Sequence, residues 1–395
     1  MELIVAVQEL ARPGGPQTYA LTVAEQLARL GHAVTLFARE LGDVAGLARE
    51  RCLTVTDQIG ALPERADGVL VGVDRSLAFE LADRYPRAAR VFVMHSIDEI
   101  HLPPPVDGVV AATLALNDRF AASAAACVGA GEVVRLRQPV DLRRFGVSNR
   151  KPAPRPSRVL LLGNYLGQPG SRAQFLKDAW APAGLQWEQV GYPNASLDVT
   201  SAMEDVDIVV GYGRSIVEAM GRGKAAYVFD HAGADGWVTP ESYERVEAAG
   251  FSGMSSAPPP DATRLRADLD AYRPELGRLG HDLIRIHHDA RDHAAALVAL
   301  LRRLGPEPPP LEHSALRALA LLSEAQLRAE IARDNNRQEA LQWFGRAQAL
   351  DDQLAVQEAR VEAVQASRRY RLAQVLGRAA ELLRRARGGS RDRRS

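Results

Sequence analysis

The stretch from Asp205 to Tyr243 constrains the fold of this chain most, because it reads as strand, glycine turn, helix, strand and glycine turn in one compact run. Ile208–Val210 is a short apolar run of the kind that a buried parallel strand makes, and Ala225–Phe229 is a second one. The helix between them begins at Ser215 and ends at Gly223. Similar alternation along most of the chain predicts an α/β fold with doubly wound sheets.

The turn after the first of these strands is a candidate ligand site. Gly211 and Gly213 let the backbone turn sharply and approach a ligand. The helix that begins at Ser215 points its unpaired N–H groups into the crevice at the carboxyl end of the sheet, where phosphate groups bind favourably. Arg214 adds a planar, charged donor, and the carboxylate of Glu218 can accept hydrogen bonds from two sugar hydroxyls.

The segment GYGRSIVEAMGRGKAAYVFD resembles the donor-binding segment of retaining glycosyltransferases of the GT-B fold, in particular glycosyltransferase family 4. The resemblance implies two Rossmann-like domains facing across a cleft, a nucleotide-sugar donor, and transfer with retention and without a metal ion. It also implies that the turn containing Tyr212 binds the donor. The family has two glutamates with seven residues between them; Glu218 matches the second, and Val210 stands at the first position.

The N-terminus begins with a strand at Leu3–Val7, a turn at Gly14 and Gly15, and a helix to about Leu30. This segment also resembles the family's opening, which implies that the two glycines bring backbone N–H groups to the donor diphosphate. As a bare motif, the glycine pair fits a tight turn without a ligand equally well.

His95 follows a strand at Arg90–Met94, so we expect it at the ligand-binding edge of the sheet. The resemblance implies that it contacts the transferred sugar; by itself, a histidine here is more often a satisfied strand-end residue. We expect the next strand at Val106–Ala111.

The family's two diphosphate-binding cations have no match in this chain. Gly163 is followed by Asn164 where the family has arginine, and the first lysine after Asn164 is Lys177. A departing diphosphate needs positive charge. Arg172 and Arg214 are the nearest replacements, and a solvated arginine explains Arg172 equally well.

Two proline-rich linkers, 151–156 and 305–310, predict three parts. These are an acceptor-side domain over 1–150, a nucleotide-sugar-binding domain over 151–305, and a helical extension over 306–395. In the extension an a/d heptad runs for about three and a half repeats, through Ala340, Trp343, Ala347, Leu350, Leu354, Gln357, Val361 and Val364. It fits a coiled coil that makes homo-oligomers, or an amphipathic hairpin folded onto the enzyme domains.

The last thirty residues hold ten arginines against Glu381 and Asp392, although the chain's net charge is zero. An apolar stripe within 372–387 predicts an interfacial helix at an anionic membrane. The body is mildly acidic, which argues against nucleic-acid binding.

The location of the protein is predicted from what the sequence lacks. We find no signal peptide and no apolar run near 20 residues. Cys52 and Cys127 do not have the spacing of metal ligands. We therefore expect a cytoplasmic protein that is peripheral at the inner face of the cell membrane.

The histidines and aspartates between His287 and His293 have helical spacing that zinc could use. No glutamate lies between the histidines as in HExxH, so we predict the polar face of a surface helix within a helical stretch from Pro274 to Leu304, and no metal site.

The sequence therefore predicts a glycosyltransferase that needs no cofactor and carries a sugar from a nucleotide-sugar to a glycan or lipid-linked acceptor, in the synthesis of cell-envelope polysaccharide or glycoconjugates. Two alternatives stay open. One is a catalytically degenerate GT-B scaffold that binds a nucleotide, favoured by Val210 and Asn164. The other is a GT-B sugar-nucleotide epimerase.

Overall fold

The structure is a computed structural model that describes residues 1–167, 172–191, 194–230, 233–256, 260–305, 309, 311–367 and 376–381. The chain forms two compact units, residues 1–328 and 329–395. The first unit contains two sheets, as the alternating pattern predicts.

The first sheet has seven parallel strands in the order β3-β2-β1-β4-β5-β6-β7. The strands are β1 (Glu2–Leu10), β2 (Ala33–Leu41), β3 (Thr54–Thr56), β4 (Gly68–Gly72), β5 (Ala89–Met94), β6 (Ala112–Ala115) and β7 (Glu132–Arg135). The helices that accompany them are α1 (Gly15–Arg29), α2 (Asp43–Glu50), α3 (Arg75–Arg84) and α4 (Asp118–Ala125). Apolar side chains on both faces of the sheet are buried, which explains the near-continuous apolar runs of these strands.

The expectation of a strand at Val106–Ala111 is wrong, because that segment is a turn and β6 follows it. Gly108 has a left-handed backbone, with φ of 77°. The buried guanidinium of Arg90 donates to the carbonyl oxygens of Gly108 (3.1 Å) and Val109 (2.7 Å). These carbonyls are satisfied by a side chain instead of a neighbouring strand.

The second sheet has the order β12-β11-β10-β8-β9, and all its strands are parallel except β12, which runs antiparallel to β11. Its strands are β8 (Arg158–Leu162), β9 (Gln186–Val190), β10 (Ile208–Gly211), β11 (Ala225–Phe229) and β12 (Ala234–Trp237). Its helices are α5 (Ala173–Trp180), α6 (Val199–Ala202), α7 (Arg214–Gly221), α8 (Pro240–Ala248), α9 (Ala262–Asp270) and α10 (Leu276–His287). Val210, at the position of the family's first glutamate, is fully buried in the core of this sheet.

The single helical stretch expected over Pro274–Leu304 is interrupted between α10 and α11 (Ala290–Leu304). Asp289 is the N-cap of α11 and accepts a hydrogen bond from the backbone N–H of Arg291. Leu297 and Leu301 of α11 are buried in the core of the first sheet, so the chain returns to the N-terminal half after building the second sheet.

This interruption buries two of the histidines that we expected on a polar surface. His288 and His293 are only 2% and 6% exposed. Nε2 of His288 lies 2.8 Å from the hydroxyl of Tyr243, and Nε2 of His293 lies 2.9 Å from the hydroxyl of Tyr19. For these two residues the surface prediction is wrong: they are hydrogen-bonded core side chains.

The last described long element is α12 (His313–Ala366), one continuous helix of 54 residues. The alternative of an amphipathic hairpin with its turn inside His313–Ala366 is therefore wrong, and a turn within 368–375 would lie outside the described residues. Within the described ranges, no helix is both long enough and apolar enough to cross a membrane.

Candidate functional site

A cleft lies where the carboxyl ends of β1 and of the central strands of the second sheet face each other. Its lining comes from both halves of the first unit: Pro13, Gly14, Gly15, Thr18, Leu162, Gly163, Asn164, Val190, Gly191, Ala195, Ser196, Val199, Tyr212, Arg214, Ser215 and Glu218. Ligands bind at this edge of open α/β sheets. The structure thus brings together the predicted residues Gly14, Gly15, Gly163, Tyr212, Arg214, Ser215 and Glu218 in one place.

Gly15 marks open space in this cleft. A Cβ atom built on Gly15 would meet no atom within 4 Å, and the residue is the first of α1. The protein's own packing does not require a glycine there. The absence of a side chain leaves the backbone of α1 accessible to a ligand.

Tyr212 shapes the opposite wall. A Cβ atom on Gly163 would lie 2.7 Å from Cε1 of Tyr212, so the tyrosine ring lies directly over the turn that follows β8. Tyr212 also stacks on Tyr165, with ring centroids 5.8 Å apart. Asn164, which stands where the family has an arginine, therefore lies next to an aromatic wall.

Arg214 is at the centre of a hydrogen-bonded network that joins the two halves. Its Nε donates to Oε1 of Glu218 at 2.7 Å, its Nη1 donates to the carbonyl of Pro139 at 3.1 Å, and its Nη2 donates to Oγ1 of Thr22 at 3.0 Å. Both side chains of the Arg214–Glu218 pair are 8% exposed. Within the described ranges, three of the five guanidinium N–H groups make these hydrogen bonds, so two remain for a ligand.

Glu218 is a buried carboxylate with a cation beside it. Burial raises its pKa, and the charge and hydrogen bond of Arg214 act in the opposite direction. The side chain faces the cleft. A buried carboxylate of this kind can accept hydrogen bonds from hydroxyl groups of a ligand.

His95 follows β5 directly, at the expected edge, but it is not among the cleft-lining residues given above. Its ring meets the ring of Tyr19 edge-on, with centroids 4.9 Å apart. Its Nε2 is buried and has no hydrogen-bond partner in the part of the chain that the structure describes. Burial, followed by the charge of Arg214, lowers the pKa of His95 to about 3, so the ring is neutral at pH 7.

Arg172 lies outside this cleft. Its guanidinium is 5.8 Å and 5.9 Å from the ring centroids of Phe175 and Phe229, and its Nη2 is 3.4 Å from the carbonyl of Pro260. Stacking on two aromatic rings fits a packing arginine better than a solvated one.

A second arginine, Arg144, is a candidate that sequence reasoning missed. It lines a pocket that shares Pro13, Thr18, Ser196, Val199 and Glu218 with the cleft. Glu25, Glu218 and Asp198 are close enough to influence its pKa, which burial lowers. Among the described residues, the guanidinium of Arg144 has neither a hydrogen bond nor an ion pair within 4 Å. Arg144 lies in QPVDLRRF, a segment that resembles the family's sequence at the end of the first domain, and nothing in that segment tells which of its two arginines lines the adjoining pocket.

The fold is that of GT-B glycosyltransferases. A protein from Anabaena, HepE, solved in complex with UDP and glucose, is 13% identical, with a TM-score of 0.52 over 76% of this chain and 100% of that chain. A glycosyltransferase from Rickettsia africae is 11% identical, with a TM-score of 0.51 over 77% of this chain and 98% of that chain. No protein-family model matches the sequence, and no curated protein does.

Proposed function

We propose that this chain is a glycosyltransferase that binds a nucleotide-sugar donor in the cleft between its two sheets. The observation that carries the proposal is the convergence of open backbone at Gly15, the start of α7 and the carboxylate of Glu218 on one cleft. These are the groups that a diphosphate and a ribose need. The GT-B fold supports the proposal, because its structural neighbour HepE was solved with UDP and glucose.

In this proposal the donor lies along the cleft with its ribose at Glu218. The backbone N–H groups at Gly14 and Gly15 and the side-chain hydroxyl of Ser215 bind the diphosphate, since the backbone N–H of Ser215 already donates to the carbonyl of Tyr212 at 3.2 Å. Gly163 and Tyr212 form the wall. Gly211 and Gly213 are not in the cleft lining and shape the turn behind it: a Cβ atom on Gly211 would lie 2.7 Å from the carbonyl oxygen of Leu162, and Gly213 has a φ of 54°. His95 contacts the sugar and, being neutral, can offer a hydrogen bond without a charge.

The departing nucleoside diphosphate must be stabilised without the family's arginine and lysine. Arg214 is close, but its charge is already balanced by Glu218 at 2.7 Å. We propose that Arg144, which has no paired carboxylate within 4 Å among the described residues, adds the further positive charge. Arg172, over its two phenylalanine rings, is a weaker candidate.

The proposed reaction breaks the bond between the anomeric carbon and the diphosphate oxygen and forms a bond from that carbon to an acceptor hydroxyl oxygen. The hydroxyl proton leaves with the solvent or the departing phosphate. Retention of the anomeric configuration and independence of a metal ion follow from the family resemblance and belong to this proposal.

A catalytically degenerate GT-B protein is the second candidate. It is favoured by Val210, whose side chain is fully buried in the core, and by Asn164. Such a protein would bind a nucleotide and have no turnover. The epimerase alternative would change the donor sugar without any acceptor.

Calorimetry with a panel of nucleotide-sugars, followed by turnover with the donor that binds, tests the proposal. Binding together with release of nucleoside diphosphate in the presence of an acceptor supports the transferase. Binding without turnover supports the degenerate protein, and a changed sugar on an intact donor supports the epimerase. Failure of every donor to bind would overturn the assignment of the cleft.

We further propose a glycan or lipid-linked acceptor in cell-envelope synthesis, with the basic tail at an anionic membrane on the cytoplasmic side. Within the expected interfacial helix, residues 376–381 are helical, and Leu376 is 62% exposed. The remainder, 372–375 and 382–387, lies outside the described residues.

A further inference from the structure

The part of α12 that belongs to the second unit carries a row of solvent-exposed apolar side chains. Trp343, Leu350, Leu354, Val361 and Val364 are between 54% and 67% exposed. All five occupy a or d positions of the heptad. Side chains at these positions lie on one face of a helix.

A helix of this length does not owe its stability to local propensity alone. At 1.5 Å per residue, the 54 residues of α12 extend about 80 Å. Most helical stability in proteins comes from packing of an apolar face. Large apolar side chains that are confined to the a and d positions form a narrow stripe, which is the kind of face that a second helix covers in a coiled coil.

The charges beside this row distinguish the two ways of pairing with an identical helix. The g positions hold Arg346, Gln353 and Arg360, and the e positions within the same repeats hold Asp351, Glu358 and Gln365. In a parallel pair, each g residue faces the e residue five positions later in the partner, so Arg346 faces Asp351. The other two pairs join glutamine to a charged residue, and no like charges meet.

An antiparallel pair would be less favourable. It brings g positions next to g positions and e positions next to e positions. Arginine would then face arginine, and acid would face acid. The charge pattern therefore selects the parallel arrangement.

We propose that residues 340–364 form a parallel, in-register coiled coil with a second copy of this chain, so that the protein is a dimer. Gln357 supplies the single polar layer of the seam, which helps to fix the register. Arg346 lies over the ring of Trp343, 5.4 Å from its centroid, and covers the ring beside the seam. The proposal does not depend on the enzymatic function of the first unit.

Sedimentation equilibrium of the full chain tests the dimer. We expect Leu354→Asp to raise the dissociation constant by at least about 100-fold, because both copies then place a carboxylate in the seam. Val356 is a matched control, since it is 55% exposed but occupies a c position outside the seam. Val356→Asp should leave the dimer intact. A wild-type monomer at micromolar concentration, or equal effects of the two substitutions, would overturn the proposal.

Orientation is tested by disulfide formation at Val364→Cys in a chain that also carries Cys52→Ser and Cys127→Ser. In a parallel pair the two position-364 side chains are adjacent and should cross-link under mild oxidation. In an antiparallel pair each would lie opposite position 340.

A charge exchange supplies a second measurement that leaves the apolar seam intact. Arg346→Asp should weaken the dimer, and adding Asp351→Arg should restore it. A dimer that does not cross-link, or that ignores the charge exchange, would overturn the parallel arrangement.

Discussion

Arg214 and Glu218 form a buried ion pair one helical turn apart, with Nε of the arginine 2.7 Å from Oε1 of the glutamate. The same guanidinium donates to Thr22 in the first half of the unit and to the carbonyl of Pro139. The pair thus both lines the cleft and fixes the two sheets against each other. An experiment that replaces either residue must therefore distinguish a direct effect on ligand binding from an effect on the packing of the two sheets.

The role of Glu218 can be tested with a ligand that lacks the ribose hydroxyls. We expect Glu218→Ala to lower nucleotide affinity roughly 10- to 100-fold, because a charge-assisted hydrogen bond is worth about 1.5 to 3 kcal/mol. Wild-type protein should bind the 2′,3′-dideoxynucleotide more weakly than the ribonucleotide, and Glu218→Ala should bind both equally. Calorimetry measures these four affinities. A variant that still prefers the ribonucleotide would show that Glu218 does not contact the ribose.

Gly15→Ala tests the open space in the cleft. Because the added Cβ would lie within 4 Å of nothing but its chain neighbours and the adjoining backbone of α1, we expect the variant to fold normally. Its nucleoside diphosphate affinity should fall by at least about tenfold, since the methyl group obstructs close approach to the backbone. Gly60→Ala is the control, because Gly60 is exposed, also has open space around it and lies away from the cleft. Equal affinities in the two variants would contradict a diphosphate at Gly15.

Arg144→Ala tests the source of the positive charge. We expect affinity for the nucleoside diphosphate to fall roughly 10- to 100-fold and affinity for the nucleoside to change little. Its exposed neighbour supplies the control, Arg143→Ala, which should change neither. Equal losses for nucleoside and diphosphate would mean that Arg144 is structural. If Arg214→Ala alone shows the selective loss, the charge comes from Arg214.

Stability should decrease as the pH falls below about 6.5, because His288 and His293 are buried as neutral rings. Burial lowers the pKa of His288 to about 3 and that of His293 to about 4. In the unfolded chain both titrate near 6.5, so between pH 6.5 and 5 the unfolded state binds protons that the folded state does not. Each should reduce the free energy of unfolding by roughly 1.5 kcal/mol over this range. Urea unfolding at pH 6.5 and at pH 5 measures this loss of free energy. His293→Gln should make the difference between the two free energies of unfolding smaller. If the difference is unchanged in this variant, His293 is not buried as a neutral ring.

Cosedimentation with lipid vesicles tests the tail. Each basic residue near an anionic surface contributes up to about 1 kcal/mol, so truncation after Val364 should abolish binding to anionic vesicles. Binding to neutral vesicles and affinity for a soluble donor should stay unchanged. Full-length protein that ignores anionic vesicles at low salt would exclude the membrane proposal.

The sequence alone was sufficient to predict the two sheets and much of the cleft. Apolar runs such as Ile208–Val210 followed by a glycine turn and a helix determine a local strand–turn–helix unit. In a parallel sheet the turns of such units meet at one edge. Gly163 and Ser215 of the second sheet therefore reach one edge by a rule that needs no coordinates, whereas Gly15 of the first sheet faces them only because of how the two sheets pack.

Only the tertiary structure decided which polar groups meet. Arg214 contacts Thr22 and Pro139, which are far from it in sequence, and Arg144 rather than its neighbour Arg143 lines the pocket that adjoins the cleft. The break before α11 buries His293 against Tyr19, although its sequence pattern reads as an uninterrupted surface helix. Periodicity records which face of an element is apolar, whereas these contacts depend on how distant elements pack. That packing is set by the whole core, and no single segment of the sequence contains it.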